Sequence, residues 1–176
     1  ATADAAPLET VEPSPLPLLL EGRFYAAQSA SKEGDSAWYL VQGKDVYLPD
    51  ADRLAAILDG DAEIWGFDAK PLYRLALEHG GIGKALRFDG KLAAYLLNPS
   101  ASGYEVHSLA AEYGVHADFT CEAAPDAGVL AGLCDALAAA LDESGQRKLL
   151  DEMELPLARV LADMERIGFA VDADGI

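Results

Sequence analysis

Residues 62–99 read AEIWGFDAKPLYRLALEHGGIGKALRFDGKLAAYLLNP, and the order of elements within them decides the fold class. Ala62-Glu63-Ile64-Trp65-Gly66-Phe67 is short, apolar and aromatic, which predicts a strand. Pro71 suits the first turn of a helix, where its missing N–H leaves nothing unsatisfied. Leu72, Leu75, Ala76 and His79 follow at helical spacing, and Gly80-Gly81 stops the run. Ala85-Leu86-Arg87-Phe88 predicts another short strand, and Lys91 to Leu97 a helix closed by Asn98-Pro99. Strands that alternate with helices imply crossover connections, hence an α/β domain.

Upstream, Phe24 to Ala30, Trp38-Tyr39-Leu40-Val41 and Asp45-Val46-Tyr47-Leu48 predict three strands. Ser31 to Ser36, with Gly34-Asp35, and then Gly43-Lys44 supply the turns, so an antiparallel meander is expected. Asp50 can cap a helix carrying Leu54, Ile57 and Leu58. Downstream, Val106 to Tyr113 predicts a helix ended by Gly114. Leu130, Leu133, Cys134, Leu137 and Leu141 share one face of a longer one. A last helical stretch carries Leu150, Met153, Leu157, Val160, Leu161 and Met164, with Pro156 expected to kink or restart it. Gly168 is expected to end that helix, and Phe169-Ala170-Val171 to turn into a strand. The sum is a mixed sheet flanked by helices. Residues 1–17, with Pro7, Pro13, Pro15 and Pro17, have the composition of a flexible linker.

A chain of 176 residues, 51% of them hydrophobic, suits one domain with its own core plus a short appendage. No apolar run is long enough to span a bilayer, so no membrane contact is expected. Two cysteines, Cys121 and Cys134, at no zinc spacing favour a reducing cytoplasm. The net charge of −17 repels nucleic-acid phosphates at long range. One stretch departs from this: Lys70, Arg74, Lys84, Arg87 and Lys91 stand against only Glu78 and Asp89. Its bland reading is a solvated positive face; its functional reading is a surface for single-stranded DNA or a partner. Acidity alone does not exclude a nuclease, because metal-dependent nucleases hold divalent cations with carboxylates.

Glu154-Leu155-Pro156-Leu157, Val160-Leu161, Met164-Glu165 and Gly168 to Val171-Asp172 together resemble the entry to the polymerase domain of bacterial family A DNA polymerases. Upstream, Phe88-Asp89, Ala94-Tyr95-Leu96-Leu97-Asn98-Pro99 and Ser108-Leu109-Ala110 resemble the middle of the 3′–5′ exonuclease domain of that family. The resemblance spans residues 18–176 and implies a ribonuclease H-like 3′–5′ exonuclease fold. It also implies a boundary near residue 148, with residues 149–176 leading as helix and strand into a polymerase domain beyond the chain. The parent enzyme would be a DNA-directed DNA polymerase of the bacterial cytoplasm, associated with the nucleoid, and this chain a fragment of it.

Active members of the family hold two divalent metals on carboxylates from three motifs. The resemblance places Ala26 and Gln28 on the first strand where an aspartate and a glutamate belong. It places Leu72 where a helix should supply an aspartate, and Ala124 with Gly128 where a Tyr-x-x-x-Asp pair should stand. Hard cations such as Mg²⁺ or Mn²⁺ need anionic oxygens. The expectation is therefore no cofactor, no catalytic residue and a vestigial exonuclease domain that supports the polymerase domain and meets DNA only through the parent enzyme. The alternative is an active Mg²⁺- or Mn²⁺-dependent nuclease with relocated ligands Asp68, Asp89 and Asp126, each of which also reads as a helix cap or a solvated surface acid. His79, His107 and His116 share no metal spacing. Tyr104, Tyr113 and Phe119 have the chemistry to stack bases but read more simply as core.

Overall fold

In the computed structural model, residues 7–30 and 37–173 are described. The expected turn over Ser31 to Ser36 falls outside them. Three strands, β1 (Arg23–Gln28), β2 (Trp38–Gln42) and β3 (Asp45–Tyr47), form the antiparallel meander. The helix α1 (Ala51–Leu58) follows, with the Asp50 side chain accepting from the Arg53 N–H at 2.8 Å. Then β4 (Glu63–Gly66), α2 (Lys70–Glu78), β5 (Leu86–Asp89) and α3 (Gly90–Leu97) alternate as the apolar blocks of the sequence require. Helices α4 (Val106–Glu112) and α5 (Ala127–Ser144) complete the body, and α5 ends at the left-handed Gly145.

The sheet order is β3-β2-β1-β4-β5, with β1, β4 and β5 parallel. Side chains alternate between its faces. Phe24 and Ala26 share one face with Ile64 and Gly66. Tyr25 shares the other with Trp65 and Phe88, whose rings stack 4.5 Å apart. Helix α5 closes this second face: the Tyr25 hydroxyl donates to Asp135 at 2.6 Å, and Leu133, Leu137 and Leu141 are fully buried.

The proline-rich lead-in, expected as a flexible linker, is extended but tied down over residues 9–16. Ser14 N–H donates to Val46 O and Val11 N–H to Thr120 O, both at 2.8 Å, and Leu16 is buried. Leu18 and Leu19, directly after this lead-in, are exposed.

After α6 (Arg147–Leu149) the chain passes through a π-helical turn, Leu150–Glu154, into α7 (Leu155–Ala173). The Leu155 N–H reaches Leu150 O, one residue further back than in an α-helix, directly ahead of Pro156. Proline therefore changes the winding rather than ending the helix. Gly168 does not end it either. Its backbone stays helical instead of left-handed, and Phe169 to Val171 continue α7 where a strand was expected. A glycine inside a helix costs only about 1 kcal/mol, and an apolar triplet is compatible with either structure.

Two glycines separate backbone strain from crowding. Gly43 takes φ +60° in the two-residue turn between β2 and β3, with open space where a Cβ would stand. Gly83 takes φ +73°, and a Cβ there would lie 2.8 Å from the Tyr73 ring. Gly43→Ala is expected to lose about 1 kcal/mol, the cost of the left-handed backbone alone. Gly83→Ala should lose at least twice that, because a ring must move as well. Chemical denaturation of the two variants side by side checks the difference.

Candidate functional site

The central strand β1 brings Ala26 opposite Leu40 of β2 and Gly66 of β4. Ala26 is buried, whereas Gln28 is exposed at the strand end. Leu72, in the first turn of α2, is fully buried, and its Cδ1 lies 3.3 Å from the position a Cβ on Gly66 would take. Gly66 thus leaves room that the Leu72 isobutyl group fills, beside the Ala26 methyl. Gly128, the second residue of α5, lets residues 118–120 approach the helix. The Asp118 N–H donates to Gly128 O at 3.0 Å, and a Cβ on Gly128 would run into the Phe119 carbonyl. Ala124 is fully buried just before α5.

A methyl, a neutral amide, an alkyl chain and a hydrogen offer no anionic oxygen. The residues at these four positions do not fit a pair of divalent cations, which need carboxylates to offset their charge. Position 128 does not even have space for a side chain.

Three acids remained as alternatives, and each has its own structural occupation. Asp89 is 2% exposed. One carboxylate oxygen accepts from the Ala69 N–H at 2.9 Å; the other accepts from Lys91 at 2.8 Å and Leu92 at 3.2 Å. Burial pushes its carboxyl up to about 7, against the pull of these three N–H donors. Asp89 is the expected cap. Asp68 is not, because Ala69 occupies the N-cap position of α2 and no side chain caps the helix; Asp68 instead faces Lys91 Nζ at 3.9 Å. Asp126 precedes α5 without capping it and pairs with His107 at 2.8 Å. Each of these two carboxylates turns to a side chain on another element instead of the helix start beside it. Asp68 and Asp89 do line one cleft of about 390 Å³, with Tyr95, Tyr104, Leu157 and Leu161. Among the described residues, no three His, Cys, Asp or Glu side chains come together as a metal would need.

The other sequence candidates resolve into packing. Cys121 and Cys134 are buried free thiols, and burial pushes the Cys134 thiol up, away from reactive thiolate. His79 closes α2, its ring meeting Leu75 O at 2.9 Å and Asp52 at 3.1 Å, and His116 is exposed. Phe119 is core, and Tyr104 packs edge-on to Tyr95 while donating to Asn98 O.

The basic stretch is not one face. Lys70 pairs with Glu165 at 2.8 Å, Arg74 with Glu78 at 3.2 Å, and Lys91 with Asp68. Lys84 and Arg87 line a second cleft, together with Arg147 and Arg159 from the C-terminal segments. Those two arginines lie far from the stretch in sequence, and no local pattern could have joined them to it.

Residues 28–121, just over half of the chain, match the family model described as DNA polymerase I, ribonuclease H-like domain. The chain is 35% identical to the DNA polymerase I of Bacillus subtilis (strain 168) over 131 aligned residues, covering 62% of this chain. That stretch is 15% of the Bacillus protein, so the chain spans a small part of the relative it matches. Among solved structures it is similar to the POL domain of Pol1 from M. smegmatis, in complex with DNA primer-template and dNTP. The TM-score is 0.63 at 24% identity, over 82% of this chain and 28% of that one, a likeness of fold.

The geometry around Asp89 gives a pH signature. Between the ordinary carboxylate value of 3.8 and about 7, the folded protein keeps a proton that the unfolded chain has released. Stability contributed by this residue is therefore expected to fall as pH rises through that window. In Asp89→Asn the slope should vanish. At pH 5 the variant should be less stable by about 1–3 kcal/mol, because the amide NH₂ faces the Ala69 N–H with a donor instead of an acceptor. Denaturation midpoints at pH 4, 5, 6 and 7 read both effects.

Proposed function

The chain belongs to the ribonuclease H-like domain family of DNA polymerase I, and on that footing we propose that it is a 3′–5′ exonuclease-like domain without nuclease chemistry, retained as structural support for a polymerase domain of the same parent chain. The observation that carries this reading is Leu72, packed over Gly66 beside Ala26, where a metal-bound carboxylate would stand. Two-metal phosphodiester cleavage depends on anionic ligands that orient a water and offset the charge on the phosphate. A hydrocarbon floor does neither.

The supporting role rests on the C-terminal helix. Met153, Leu157, Val160, Leu161, Met164 and Ile167 are each between 42% and 62% exposed. Leu155, Ala158 and Ala162, interleaved with them, are buried against the body of the domain. A helix apolar on both sides has two partners to cover. The polymerase domain is the occupant assigned here, since the curated relative is far longer than this chain. DNA replication or repair, in the cytoplasm, would belong to the parent enzyme, which acts on DNA through its polymerase domain.

Incubation with Mn²⁺ and end-labelled single-stranded DNA is expected to leave the substrate uncut, and fluorescence anisotropy at physiological salt to show no saturable DNA binding. Metal-dependent trimming lost in Asp68→Ala, with circular dichroism to verify folding, would instead establish the nuclease with relocated ligands. For the supporting role, Leu157→Ser and Met164→Ser should change the unfolding free energy of the domain by no more than about 0.5 kcal/mol, as surface substitutions do. In the longer parent enzyme the same pair should lower the temperature at which polymerase activity is lost. A large destabilisation of the domain alone would remove the stripe from consideration.

A further inference from the structure

The cleft that gathers Lys84, Arg87, Arg147 and Arg159 has a volume of about 640 Å³ and opens beside Ala62, Glu63 and Leu86. These residues begin β4 and β5, so the cleft lies at the opposite strand ends from Ala26 and Gly66. Its acids are already engaged. Glu63 faces Arg23 at 3.5 Å and accepts from the Trp65 indole at 2.7 Å, and Asp151 lies 3.6 Å from Arg147. Among the described residues, Lys84, Arg87, Lys148 and Arg159 have neither an ion pair nor a side-chain hydrogen bond. Three of these four line the one cleft. In a chain with 30 acidic residues against 13 basic ones, three cations in one cleft without an ion-pair partner are unusual.

The walls are built to hold them. Asp59 accepts from the Ile82 and Gly83 N–H groups, both at 2.9 Å, which fixes the loop carrying Lys84. The Tyr73 ring packs against Gly83, and Leu155 and Pro156 present an apolar surface where the π-helical turn meets α7. Guanidinium forks match phosphoryl oxygens with paired N–H donors, and a lysine adds a point charge. The volume falls within the range of small-ligand sites.

We infer that this cleft binds a small phosphorylated anion, held by Lys84, Arg87 and Arg159. The inference is independent of whether the domain has lost its nuclease. A nucleic-acid strand carries the same phosphoryl chemistry, but the acidity of the remaining surface opposes a strand that must continue past the cleft. The free anion is therefore the assigned source.

Isothermal titration with inorganic pyrophosphate at low salt tests it. Saturable binding is expected, weakening with added chloride. Arg87→Gln should weaken it at least tenfold; Arg87 is exposed and its replacement leaves the core alone. Arg159→Gln should do the same, with circular dichroism to verify folding. Lys148→Gln removes a free cation outside the cleft and should leave affinity unchanged. Absence of saturable binding, or equal loss in Lys148→Gln and Arg87→Gln, would overturn the site. A single-stranded oligonucleotide that displaces pyrophosphate at lower concentration would overturn the free-anion assignment in favour of a strand.

Discussion

The parallel half of the sheet depends on one buried carboxylate. Asp89 ends β5, and its oxygens accept from Ala69 ahead of α2 and from Lys91 and Leu92 at the start of α3. The starts of the α2 crossover and of α3 are thereby both tied to the end of β5, and the buried Ala69 N–H gains its acceptor. Burial of a charge is unfavourable, and three N–H donors offset it. Burial pushes the Asp89 carboxyl up, and the three N–H donors pull it back.

Around this tie, the face that holds Ala26, Gly66 and Leu72 is ordinary core. A glycine on β4 makes room, a leucine from α2 enters it, and an alanine on β1 completes the floor. The replacement is consistent across packing and chemistry. A carboxylate placed at position 72 would meet hydrocarbon, and at position 128 a side chain would meet backbone. The hydrophobic periodicity that builds the fold is untouched by these changes, because it resides in residues such as Leu40, Ile64 and Phe88 rather than in metal ligands.

What the sequence shows well is local. The blocks Ile64-Trp65 and Leu86 to Phe88, with helices between and after them, carry periodicity enough to place every element of the alternating half. The lead-in is different. Ser14 and Val11 pair through backbone groups, which every residue possesses, so composition registers only the prolines. The end of α7 is hidden for a related reason: Gly168 has the identity of a helix stop but not the left-handed backbone that makes one, as Gly145 does. That positions 26, 28 and 72 carry no carboxylate is visible in residue identity, whereas the crowding of Gly128 by Phe119 is tertiary. Asp68 and Asp126 have the sequence of caps, yet Lys91 and His107 claim them. The second cleft is hidden most completely, since Arg147 and Arg159, half its cations, lie some 60 residues or more beyond Lys84 and Arg87 in the chain.

The pairing of Ser14 with β3 bears on solubility. An outer strand with open amides and carbonyls is a template for intermolecular β-assembly. Here the lead-in occupies that rim, and its own prolines cannot donate onward, so the added layer does not propagate. A recombinant fragment trimmed to start at Arg23 would bare the Val46 carbonyl and leave Leu16's niche empty. Such a truncation should be handled as an aggregation risk even though every helix and strand of the sheet remains.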